Sequence, residues 1–99
     1  MKESFPYRSD LDKLIPVSEI PVLNRMRSLP QPQKRLLWEI IKLTSKDGLA
    51  IYYGKLIDLQ ILLTQGLIEQ NQLYRGKGIS LFVLPGAQHL LRQLIRKIE

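Results

Sequence analysis

A chain of 99 residues, 44% hydrophobic and 24% charged, has the composition of one folded domain with a modest core, not that of a disordered polymer. The absence of cysteine excludes disulfides, thiolate metal sites and a cysteine nucleophile, and no apolar run approaches the roughly 20 residues of a membrane helix. Fifteen Lys and Arg against 9 Asp and Glu leave a net charge of +6, a sign that favours polyanionic partners through steering and counterion release. The excess grows along the chain, from +1 over residues 1–31 to +2 over 32–66 and +3 over 67–99. The start, Met1-Lys2-Glu3-Ser4-Phe5-Pro6, lacks the apolar stretch of a secretion signal, so the cytoplasm is the expected address.

Residues 1–31 read as an arm punctuated by Pro6, Pro16, Pro21 and Pro30, which forbid a long helix. Within it, Ser18 is expected to cap a short helix whose stripe of Val22, Leu23, Met26 and Leu29 docks on the main core. Arg25 and Arg27 would make the arm adhesive to phosphate if it were free. Residues 32–99 form the domain proper. Pro32 suits a helix start, and Leu36, Leu37, Ile40, Ile41 and Thr44 then share one face, with Trp38 as a boundary packing residue beside it.

Ser45-Lys46-Asp47-Gly48 is turn chemistry. Leu49–Tyr53 reads either as a small strand or as the start of a compressed helix. Leu56, Ile57, Leu59, Ile61 and Leu63 recur at helical intervals over Lys55–Gln65, and Gly66 stands where a left-handed cap is expected. Leu67–Gln70 and Ile79–Leu84 read as the strands of a hairpin connected through Arg75-Gly76-Lys77-Gly78. After the Pro85-Gly86 break, Leu90, Leu91, Leu94, Ile95 and Ile98 mark a final amphipathic helix with Arg92, Arg96 and Lys97 on its polar side.

This order resembles the winged helix-turn-helix superfamily of small DNA-binding regulators over residues 32–98. The resemblance rests on Leu62-Leu63-Thr64-Gln65-Gly66-Leu67-Ile68-Glu69, similar to the end of a recognition helix with its glycine cap and first wing strand. It rests also on Leu84-Pro85-Gly86 followed by Leu90-Leu91, similar to the corner between the second wing strand and a closing helix. It implies an α+β, winged-helix-like domain in which helices precede a C-terminal β-hairpin wing and a closing helix, and it implies DNA binding. Only eighteen residues separate Asp47 from Gly66, against about twenty-four for a full helix, turn and recognition helix. One helix is therefore expected to be missing or reduced to a turn.

The candidate nucleic-acid-binding residues are Lys55, Gln60, Thr64, Arg75 and Lys77. Arg75 and Lys77 flank a glycine at the expected wing tip, where the backbone can approach a groove and the cations can meet phosphate, and Tyr74 could stack or pack beside them. Lys55 and Asp58 cancel on the preceding helix, leaving Gln60, Thr64 and Gln65 as neutral candidates for base edges. A solvated hairpin loop accounts for the same glycines and charges equally well.

His89 is the only histidine and reads as a surface or boundary residue of the last helix, not as the head of a metal site. Asp10, Asp12, Asp47, Asp58 and Glu69 show no catalytic spacing, and no serine sits in a nucleophile elbow. The reading is a non-enzymatic transcriptional regulator that needs no cofactor and binds double-stranded DNA. It is expected to be a homodimer with a seam on Leu90, Leu91, Leu94 and Ile95. The alternatives are an adaptor that binds another protein around Tyr52, Tyr53 and Trp38, and a small subunit of an RNA-containing assembly.

Overall fold

The computed structural model describes residues 13–98; the beginning of the arm, with Pro6, Asp10 and Asp12, lies outside the described residues. A single 3-10 turn over Val17–Glu19 leads into α1 (Ile20–Arg27), with Pro21 in the first turn, where a missing amide costs nothing. Ser18 does not cap this helix. The cap position falls on Glu19, whose carboxylate is engaged elsewhere in the fold. The stripe of Val22, Leu23, Met26 and Leu29 is buried, together with Ile15, in the same core as the rest of the chain.

α2 (Gln31–Lys42) carries Pro32 in its first turn and buries Leu37, Ile40 and Ile41, while Leu36 and Trp38 pack half-buried against that core. The following turn is held by Ser45, whose Oγ accepts the amides of Asp47 at 3.3 Å and Leu49 at 3.4 Å. Gly48, at φ +80°, supplies the left-handed residue this turn needs. The segment left open between strand and helix is a strand, β1 (Leu49–Tyr52).

The continuous helix expected over Lys55–Gln65 is instead a 3-10 turn, Leu56–Leu59, running into the five-residue α3 (Gln60–Thr64). The tightening has a local cause. The Asp58 carboxylate accepts the Lys55 amide at 3.2 Å while the Asp58 amide donates to the Lys55 carbonyl at 3.0 Å, so the first turn closes over three residues, not four. Gly66, at φ +73°, ends α3 as expected. Its amide reaches Leu63 O and that of Leu67 reaches Leu62 O, both at 3.0 Å, which is the Schellman arrangement.

β2 (Ile68–Gln70) and β3 (Ile79–Val83) complete a three-stranded antiparallel sheet of order β1-β3-β2. In register, Tyr52 faces Ile79 and Leu49 faces Phe82 on one side of β3, while Ile68 faces Val83 and Gln70 faces Leu81 on the other. The domain is thus α+β. Leu84 turns the chain out of the sheet at φ +48°, a backbone that costs a branched side chain on the order of 1–3 kcal/mol. Burial of its side chain, and the bond from its amide to Leu67 O at 2.9 Å, hold it there.

α4 (Gln88–Ile98) closes the fold, with Leu90, Leu91 and Leu94 in the core and Ile95 half-buried; the side chain of Ile98 lies outside the described residues. One long-range contact pins α4 to the arm. Glu19, buried at 5% exposure, accepts the Leu90 amide on Oε1 at 2.8 Å and the His89 amide on Oε2 at 3.4 Å. The same Oε2 lies 2.7 Å from His89 Nδ1. A carboxylate from seventy residues away therefore caps the first turn of α4, where the helix dipole favours negative charge.

Two consequences can be measured. Leu59 and Leu62 are fully buried whereas Leu63 is only half-buried, which moves the inward face expected from spacing by one residue. Urea unfolding should show Leu59→Ala and Leu62→Ala losing about 2–5 kcal/mol each, with a clearly smaller loss for Leu63→Ala.

The second concerns pH. Burial raises the pKa of Glu19, but the His89 side chain, the two amides and the His89 charge outweigh it and hold the carboxyl below its ordinary value of 4.5. A lowered folded pKa means that the contribution is complete above the ordinary value and is lost as pH falls through the folded one. Thermal melts should show wild type losing stability below pH 4.5 more steeply than Glu19→Gln, which should start about 1–2 kcal/mol lower at neutral pH.

Candidate nucleic-acid interface

Because Tyr52 pairs with Ile79, the chain leaving β1 and the loop entering β3 emerge from the same end of the sheet. Residues 53–55 and the loop over 71–78 are thereby brought together, and with them Lys55, Arg75 and Lys77, all exposed. Among the described residues neither Arg75 nor Lys77 is held in an ion pair. Gln60 and Thr64, one turn apart on α3, share an exposed face and line a shallow groove with Ile61 and Gln65. Two groups of candidates thus form, one on the sheet end and one on α3.

The loop is built and not merely tethered. Asn71 donates its amide to Ser80 O at 2.8 Å and its side-chain Nδ2 to Ser80 Oγ at 3.3 Å, while its Oδ1 accepts the Leu73 amide at 3.3 Å. Tyr74 folds across the tip, its hydroxyl donating to Lys77 O at 2.9 Å, and its ring lies against Gly76 closely enough that a Cβ there would collide with it. Gly78, at φ +82°, closes the loop beneath Tyr53. A Cβ at this position would stand 2.7 Å from Ile51 Cγ2 and 3.0 Å from the Tyr53 ring. Gly76 is therefore demanded by the Tyr74 ring, and Gly78 by its left-handed backbone and by Ile51 with Tyr53 close beside it, neither of which the composition of the loop by itself reveals.

Asp58 is turned inward to its own turn. Besides the Lys55 amide, its Oδ2 accepts the Tyr52 hydroxyl at 2.9 Å. Burial, then the hydrogen bond to Asp58 and its charge, raise the Tyr52 pKa, so Tyr52 stays a neutral donor. The 3-10 turn and α3 carry several exposed apolar side chains, with Ile57 at 71% and Ile61 at 43% exposure, close in sequence to Tyr53 at 75%. Of the three aromatic residues considered for a protein-binding surface, Tyr52 and Trp38 are half-buried against the core and Tyr53 alone is exposed.

At the opposite end of β3 a cleft of about 290 Å³ opens between the Lys46–Gly48 turn, the Phe82–Pro85 corner and α4, with Lys46 and Arg92 at its margin. The leucines of α4 expected to line a seam between two copies are instead interior to this chain, Leu90 and Leu94 completely so. A contact between copies through α4 would have to use its outward side. Among the described residues no group of three metal-ligating side chains occurs, and no helix is long and apolar enough to cross a membrane. Comparison of the chain with protein-family models, with curated proteins and with solved structures finds no match.

Proposed function

We propose that this chain is a winged-helix-type DNA-binding protein that grips the duplex backbone through the cationic hairpin loop, and that it is a small regulator acting without a cofactor. The observation that carries this reading is the braced loop: two exposed cations at Arg75 and Lys77, held on a fixed backbone by Asn71, Tyr74 and Gly78. Cations on a loop with settled geometry can meet phosphates without first losing conformational freedom, so more of the electrostatic attraction appears as affinity. Support comes from the order along the chain, helices followed by the β2–β3 hairpin and a closing helix, which is the order that the winged-helix resemblance implies. In this reading the 3-10 turn and α3 together stand for the helix pair of a full helix-turn-helix. Gln60 and Thr64 are then the side chains offered to base edges, and Lys55 adds a third cation near the loop.

A protein-binding adaptor is the second reading. The observation that favours it is the exposed apolar group of Tyr53, Leu56, Ile57 and Ile61, residues that a helix reading bases would more usually replace by polar ones.

Salt separates the two. Affinity for duplex DNA, measured by fluorescence anisotropy, should fall linearly on logarithmic axes with salt, each phosphate contact adding about 0.9 to the slope. Replacing Arg75 and Lys77 together by Ala should lower the slope by about 1–2 on every sequence, with thermal stability nearly unchanged. Gln60→Ala with Thr64→Ala should change preference among sequences more than overall affinity. Absence of salt-dependent binding at micromolar protein would remove the DNA reading in favour of the adaptor.

A further inference from the structure

Tyr53 is 75% exposed, an unusual place for a large ring unless something fixes it. Here the ring lies beside Gly78, the closing residue of the cationic loop, 3.0 Å from where a Cβ would stand; the left-handed backbone at φ +82° and Ile51 Cγ2, 2.7 Å from the same point, are what keep that position a glycine. One part of the ring is thus supported by the loop while most of its surface faces solvent. The second tyrosine of this end, Tyr74, is tied by its hydroxyl to Lys77 O at 2.9 Å and is 36% exposed. Arg75 and Lys77 therefore belong to a loop that carries one aromatic ring tied across its tip and has another beside its closing residue.

An exposed planar ring supported on one side by a loop that carries two cations has the chemistry of a base-stacking platform with a phosphate grip. Within a duplex the faces of the bases are covered by their neighbours, so such a ring finds no partner except at an end or an opened pair. On a single strand every base offers a face. The short α3 argues in the same direction. Five residues after a 3-10 turn, with Ile57 and Ile61 exposed, make a modest reader of the major groove, whereas stacking needs no groove at all.

We infer that the hairpin end of the sheet takes single-stranded nucleic acid, with an unpaired base stacked on Tyr53 and the flanking phosphates on Arg75 and Lys77. This rests on the reading of the loop as a nucleic-acid grip and extends it from the backbone of a duplex to the bases of an open strand.

The test uses the full chain with two fluorescent probes, an oligothymidylate and a duplex of equal length, plus a strand of the same length lacking bases. Tyr53→Ala should weaken binding to oligothymidylate by about fivefold or more, the loss of one base–aromatic stack, and should leave duplex affinity within about twofold. Tyr53→Phe, which keeps the ring, should retain wild-type affinity. On the abasic strand the wild type and Tyr53→Ala should bind alike, and the Arg75/Lys77 double alanine variant should weaken all three probes. Unchanged thermal melts would establish that Tyr53→Ala is folded. Equal affinity of wild type and Tyr53→Ala for oligothymidylate, with salt-dependent duplex binding intact, would overturn the stacking inference and leave the duplex grip standing. An equal loss on all three probes would also overturn it, by showing that the ring only braces the loop. Failure of the wild type to bind any probe would bring down both.

Discussion

The central position of β3 is the constraint on which the rest of the molecule depends. Paired on both sides, by β1 through Leu49–Tyr52 and by β2 through Ile68–Gln70, it has no open edge. Whatever precedes and follows it must leave from the two ends of the sheet. At its start this delivers the braced loop next to the chain emerging from β1, which is how Tyr53, Lys55, Arg75 and Lys77 come to share one end. At its finish the chain must turn sharply to place α4 over the core, and Leu84 accepts a left-handed backbone to do so. The cationic loop and the closing helix are thus opposite ends of one five-residue strand.

Glu19 secures the other half of the architecture. The helices of a domain this small bury little surface each, and α1 is only eight residues long. Its stripe of Val22, Leu23 and Met26 supplies apolar attraction without direction, while the carboxylate just before it supplies direction by capping α4. The arm becomes part of the core and α4 acquires a fixed start. Because α4 spends Leu90, Leu91 and Leu94 on this packing, its outward face is mainly cationic, and its contribution to any partner is electrostatic.

Much of this was legible in the residues because local chemistry and tertiary packing agree there. Val22, Leu23 and Met26 on α1, Leu37, Ile40 and Ile41 on α2, and the glycine cap at Gly66 follow from helical spacing and from the one backbone conformation glycine tolerates best. The eighteen residues between Asp47 and Gly66 announced a reduced helix pair. The features that escaped are those made by contacts between distant residues. Nothing in the surroundings of Glu19 points to His89 and Leu90, and the pattern that suggested Ser18 as a cap cannot see a better use for its neighbour. The 3-10 turn is closed by Lys55 and Asp58, with Tyr52 donating to the same carboxylate, and the inward face moved to Leu62 as the helix shortened. Tyr53 belongs in sequence to a segment open between strand and helix and to a candidate protein-binding surface; only the pairing of β1 with β3 brings it beside Gly78.

The central claim is that the loop end of the sheet is the nucleic-acid surface. It is tested most directly by mapping backbone amide shifts in two-dimensional NMR spectra of the full chain as an oligonucleotide is added. The account predicts that the largest changes fall on residues 53–55 and 74–78, with residues 46–48 and 88–95 at the far end of the sheet little affected. Changes concentrated around Lys46, Arg92 and Ile95, or spread evenly over every cationic side of the molecule, would contradict it.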